Sequence, residues 1–177
     1  MLTDFNQFVP QQVCLSCDGC CRFKDADSSW RPKAAPEEID AARAAGLAEH
    51  IFSRADLDGE QRITIGGCHN GSHICRFFSP QDNRCTIYAY RPFECQLYPF
   101  VLMKDAGRLV VAVHTLCPHI ESSGTSAGFA DYTEYLRTFF RRDDVARFIR
   151  SNAAMVDDYA EYRDELRPLF AVNGEDV

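Results

Sequence analysis

Four cysteines within eight residues, Cys14, Cys17, Cys20 and Cys21, form the pattern C-x2-C-x2-C-C inside the stretch CLSCDGCCRF. Buried free thiols rarely crowd a core this densely, so the run reads as a ligand loop around a metal centre. Two-residue spacing lets a tight turn aim two sulfurs at one point while the backbone N–H groups between them face the thiolates. Thiolate donors select zinc, copper(I) or iron–sulfur centres over magnesium or calcium. Three cysteines at C-x2-C-x2-C are closer to the bacterial ferredoxin run, whose remaining cysteine precedes a proline, than to a zinc knuckle. Cys117-Pro118 is the one Cys-Pro of the chain.

Nine of the 177 residues are cysteine, and the other five are Cys68, Cys75, Cys85, Cys95 and Cys117. An odd count would leave a thiol over in an all-disulfide protein, and a cysteine-rich pattern in a reducing compartment is a metal or catalytic pattern first. The opening residues, MLTDFNQFVPQQV, have no basic region and no apolar run of signal-peptide length, so the expectation is a cytoplasmic protein and not a disulfide-rich exported one. No apolar stretch approaches a bilayer span, and no membrane association is expected. With 19 Lys and Arg against 26 Asp and Glu the net charge is -7, which gives no electrostatic footprint for nucleic acid. The apolar fraction of 46% is enough for a real core.

Adjacent side chains at Cys20 and Cys21 should diverge, so the two are expected at different centres. Eight cysteines then divide as Cys14, Cys17, Cys20 and Cys117 at one centre and Cys21, Cys75, Cys85 and Cys95 at another, with Cys68 the spare. Arginines neighbour these positions: Arg22, Arg76, Arg84 and Arg91. Their guanidinium groups are candidates to offset thiolate charge and to raise a cluster's potential. Pro92 can open a helical turn facing Cys95. His69 and His73 read as exposed loop residues with zinc ligation as the alternative, His50 as surface, and His114 and His119 bracket Cys117.

The rest of the chain reads as an α+β protein. Pro36, the acids after it and Gly46 predict a helix over 36–45, with a further turn to Phe52. EQRITIGG predicts a strand, residues 67–75 a loop, and TIY after Cys85 a strand. Residues 98–115 predict a β-hairpin closed near Gly107. Beyond the small-residue stretch 122–128 the apolar spacing turns helical, with three faces marked by Phe129 to Phe140, Val145 to Ile149, and Met155 to Leu166. The expected organisation is a metal-stapled, irregular cysteine-cluster region over 1–121 with a β-hairpin, packed against C-terminal helices over 122–177. Aromatic residues 88 to 100 read mainly as core. No Walker loop, G-x-G-x-x-G or H-E-x-x-H is present.

The run from Cys14 to Cys21, then Cys75, then Cys85-Thr86-Ile87-Tyr88-x2-Arg91-Pro92-x2-Cys95 and Tyr98-Pro99, resembles the CxxCxxCC zinc- or iron-chelating domain family, also called YkgJ-like, over about residues 14 to 118. Gln96, where arginine often stands, and the added Cys68, His69 and His73 depart from that pattern. The resemblance implies a cysteine-cluster metal domain of a kind often described as an iron–sulfur oxidoreductase and also joined to flagellin lysine-N-methylase chains. The leading expectation is therefore an iron–sulfur cluster of the 4Fe-4S type, in one or two centres, serving a redox role with a redox protein partner or forming part of a modifying enzyme. The alternative is a structural or carrier zinc protein without catalysis of its own.

Overall fold

In a computed structural model of the chain, which describes residues 5–17, 19–44 and 62–172, Asn70 and Gly71 carry φ angles of 49° and 79°. Two successive positive φ values close a two-residue hairpin whose twist matches that of the flanking strands. The stretch expected as a loop over 67–75 is thus paired backbone, and Asn-Gly is the reason. Residues 45–52, where the first helix was expected to continue, lie outside the described residues.

The described residues fall into two units, Pro10–Gln96 and residues 5–9 with 97–172. The first opens with a one-turn helix, α1 (Gln11–Leu15), and a 3-10 turn at Gly19–Cys21. The cysteine run is therefore short helix and turn, not open loop. Strand β1 (Arg22–Phe23) follows, and helix α2 (Pro36–Ala44) starts at its proline, as the sequence predicts. Strands β2 (Ile65–His69) and β3 (Ser72–Cys75) form the Asn70-Gly71 hairpin. β1 adds to it antiparallel, with Arg22 opposite Ile74 and Phe23 opposite His73, so β3 is the central strand. The chain then turns into β4 (Phe78–Ser79) and its partner β5 (Arg84–Cys85). TIY is not a strand: after Cys85 a turn leads into a 3-10 segment, Tyr88–Tyr90, and then helix α3 (Phe93–Leu97). Phe23, Ile63, Ile74, Phe77, Phe78, Ile87 and Phe93 are buried and form the apolar support of this unit.

In the second unit β6 (Phe100–Asp105) and β7 (Arg108–His114) form the predicted hairpin, turned by Ala106 and Gly107 at positive φ. Helices α4 (Pro118–Ser123), α5 (Ala127–Phe140) and α6 (Asp143–Ser151) follow. Ser126 caps α5 by accepting the Phe129 N–H at 3.2 Å. The third expected helical face is not a helix. Residues after α6 form short 3-10 segments and then β8 (Leu166–Ala171), which pairs antiparallel with β7 and completes a β6-β7-β8 sheet. Pro168 is tolerated there because β8 is an edge strand. Val110, Val111, Val113, Leu136, Phe139, Phe140 and Phe170 are buried in this unit. Residues 5–9 belong to it as well: the Phe8 ring stands 4.9 Å from that of Tyr132 and 5.6 Å from that of Phe100. The α+β class is as expected.

Candidate metal centre

Strand pairing assembles the cysteines of the first unit. Cys20 and Cys21 end the 3-10 turn that feeds β1, and β1 lies against β3, which ends in Cys75. The chain from Cys75 runs into β4, whose Phe78 is opposite Cys85 on β5. Cys95 sits in α3. Cys14 lies on α1, which packs beside β5, and the Asn83 side chain donates to the Ser16 carbonyl at 3.4 Å. Cys17 follows α1 directly. Cys117 belongs to the second unit, buried at the start of α4.

Three of these sulfurs meet backbone N–H groups two residues onward. The Gly19 N–H donates to Cys17 Sγ at 3.5 Å. The N–H groups of Phe77 and Phe78 face Cys75, and the Ile87 N–H faces Cys85. Such donors favour the thiolate, which is the form that binds metal.

Burial and mutual repulsion act the other way. Contact with the Cys20 thiol, followed by burial, pushes Cys21 well above the ordinary range, and the charges of Cys20, Cys75 and Cys85 add to it. Burial raises Cys75 to about 12, and it raises Cys85 and, further, Cys95, with Cys20 contributing in every case. Cys20, Cys21, Cys75, Cys85 and Cys95 therefore form one electrostatic group. Cys20 and Cys21 do not diverge: a 3-10 turn advances successive side chains by about a third of a revolution, not half as in a strand. Cys20 stands with the group expected to exclude it.

The expected arginines occupy different settings. Arg91 donates from Nη1 to the Tyr88 carbonyl at 2.7 Å, lies 3.7 Å from the centroid of the Tyr88 ring, and lowers Cys85 through its charge. Arg22 donates to the His69 carbonyl at 3.0 Å, clamping β1 to the hairpin. Arg76 and Arg84 are exposed. Cys68, the expected spare, is exposed with its sulfur 3.4 Å from His73 Nδ1. His69 is half-buried on β2. His119 in α4 packs its ring 5.2 Å from that of Phe8.

Two glutamates that the sequence did not single out hold the Cys95 helix. Glu94 accepts the Lys33 N–H at 2.7 Å. Glu38 accepts the N–H groups of Phe93 at 2.7 Å and Ala35 at 2.9 Å. Burial pushes Glu94 up to about 8 against the pull of the Lys33 N–H and of the Lys33 and Arg62 charges. Adjacency to Cys95 was the one signal available for Glu94. In the second unit, His114 joins a chain of polar groups, with Tyr98 Oη 3.0 Å from its Nδ1 and Glu165 Oε2 3.2 Å from its Nε2.

Among the described residues no three His, Cys, Asp or Glu side chains stand ready-placed around a metal ion. The five thiols are within electrostatic reach of one another, and the donor set suits a thiophilic centre: all sulfur, largely buried, with N–H groups directed at the sulfurs. Among the described residues no helix is long and apolar enough to cross a membrane.

A run of cysteines on a turn, two small sheets and a short helix, with several of the thiols coupled through their charges, is the pattern of a cysteine-cluster metal-binding protein. The family model "CxxCxxCC: Putative zinc- or iron-chelating domain" matches residues 13–118, and the chain belongs to that family. No curated protein and no solved structure matches the chain.

Proposed function

We propose that the chain binds a thiophilic metal centre through Cys20, Cys21, Cys75, Cys85 and Cys95, with Cys14 and Cys17 completing the ligand set of the first unit. The observation that carries this reading is the single electrostatic group of buried and half-buried thiols, whose charges raise one another's pKa values. Such a group is unfavourable as thiolates alone, and a bound cation reverses that. The C-x2-C-x2-C run supports iron in an iron–sulfur cluster of the 4Fe-4S type, which when bound supplies one-electron exchange. The residues of the chain would act as follows: thiolates ligate, Arg91 offsets charge at Cys85, Glu38 and Glu94 fix the Cys95 helix, and Phe77, Phe78 and Ile87 donate N–H groups to sulfur.

One observation favours zinc as a second reading. Cys20 and Cys21 are in direct contact, which suits sulfurs on one tetrahedral ion, about 3.8 Å apart for Zn–S bonds of about 2.3 Å. Cysteines on separate irons of a cluster stand further apart. Anaerobic purification with metal and sulfide analysis and absorption spectra separates the two. Brown protein holding iron and acid-labile sulfide supports the cluster; colourless protein with stoichiometric zinc supports the second reading and removes the first.

A further inference from the structure

The Asn70-Gly71 hairpin carries a sulfur–nitrogen pair that the buried cysteines do not use. Cys68 and His73 are directly opposite in the β2-β3 register, one step beyond the His69/Ser72 pair that flanks the turn. In a two-residue hairpin that second pair is a non-hydrogen-bonded one, the kind whose side chains approach most closely on one face. His69 and Ser72 point to the other face. Cys68 is exposed, His73 is half-buried, and Cys68 Sγ lies 3.4 Å from His73 Nδ1.

The geometry points to a second, surface metal site: we propose that Cys68 and His73 form a two-ligand site for Zn2+, with the two remaining corners open to solvent. Zn–S and Zn–N bonds of about 2.3 and 2.0–2.1 Å at a tetrahedral angle place sulfur and nitrogen about 3.5–3.6 Å apart. The observed 3.4 Å is already at that edge. A linear two-coordinate ion with similar bonds would need roughly 4.3 Å. Binding replaces the Cys68 S–H bond with an S–Zn bond and releases that proton to solvent, while neutral His73 ligates through Nδ1 with its proton on Nε2. The pair is preorganised, since β3 is held on both edges and Arg22 anchors the carbonyl of His69. An open site with two protein ligands exchanges its metal readily, in contrast to a closed four-ligand site.

The test titrates Zn2+ into the full chain carrying its resident metal, in competition with a chromophoric chelator. The wild type is expected to take up one exchangeable equivalent that Cys68→Ser lacks. His73→Gln should bind that equivalent roughly tenfold or more weakly, since even outer-shell changes cost 10–100-fold, and His69→Gln on the opposite face should retain it. The resident metal content of all four proteins should be equal, which separates this site from the buried centre. Co2+ in place of Zn2+ should give a thiolate charge-transfer band in the wild type and none in Cys68→Ser. Equal exchangeable zinc in the wild type and Cys68→Ser, or an equal loss in His69→Gln and His73→Gln, would overturn the proposal.

Discussion

Loading the buried cysteines should expel protons, and the number expelled measures the ligand set. Cys75, at about 12, is one part in about 10^5 thiolate at pH 7. Holding it ionised there costs about 7 kcal/mol, against about 3 kcal/mol for an ordinary cysteine at 9.0, at about 1.4 kcal/mol per unit. Burial therefore adds on the order of 4 kcal/mol that the metal–sulfur bond must offset. Cys21, Cys85 and Cys95 are raised too, so each enters a complex from the thiol form. A four-thiolate ion should thus release about four protons at pH 7. Where Cys21, Cys75, Cys85 and Cys95 are the four ligands, apparent affinity should climb about four decades per pH unit from pH 6 to 8 without levelling, because all four are raised above their ordinary 9.0. Calorimetry of Zn2+ binding to metal-free protein in two buffers of different ionisation enthalpy counts the protons, and Cys75→Ser should lower the count by one. Release of fewer than two protons, or affinity that is flat by pH 8, would show thiolates already formed and refute the electrostatic account.

Glu94 gives a pH signature of opposite origin. Its folded value of about 8 exceeds its ordinary 4.5, so the native state keeps a proton that the unfolded chain loses. Its favourable contribution is fully present below 4.5 and is lost as pH rises through about 8. The unfolding free energy of wild type from urea titrations should fall relative to Glu94→Gln by up to about 1.4 kcal/mol per pH unit across that window; parallel curves would contradict the burial. Gly66 lies at the irregularity in β2, where an added Cβ would meet the Arg76 Cα at 2.8 Å and the Cys75 carbonyl at 3.2 Å. Gly66→Ala should cost about 1–3 kcal/mol and weaken metal retention by displacing Cys75, as read by thermal melts and metal analysis. Phe100 is fully buried among Phe8, Phe129 and Tyr132, so Phe100→Ala should destabilise by about 3–5 kcal/mol in chemical denaturation.

The hairpin at Gly107 was legible because alternation and a positive-φ glycine agree, and the α2 start because Pro36 precedes acids. Asn70-Gly71 carried an equally strong turn signal, but Cys68, His69, His73 and two glycines give that stretch the composition of a ligand loop. Local chemistry outweighed backbone code in the reading, and the strands went unseen. Leu166–Ala171 was misread for a different reason: its partner β7 is over fifty residues away, and the helical spacing from Met155 onward fits 3-10 turns as well as an α-helix. At the metal centre, the residue types were evident from spacing, whereas the grouping of Cys20 with Cys75, Cys85 and Cys95 was not. That grouping depends on the β1-β3 and β4-β5 pairings, which no local pattern encodes.

Residues 5–9 lie in one unit, the chain leaves it at Pro10 to build the other, and it returns at Leu97. Residues 5–9 are made before residues 10–96, yet find Tyr132 and Phe100 only after everything between has been made. For an unstructured segment spanning 10–96, closing that loop costs about 4 kcal/mol in chain entropy. Folding of the cysteine-bearing unit shortens the free chain between those residues and so lowers that cost. A metal that stabilises residues 10–96 therefore also favours closure of the aromatic core, which none of the cysteines proposed as its ligands enters.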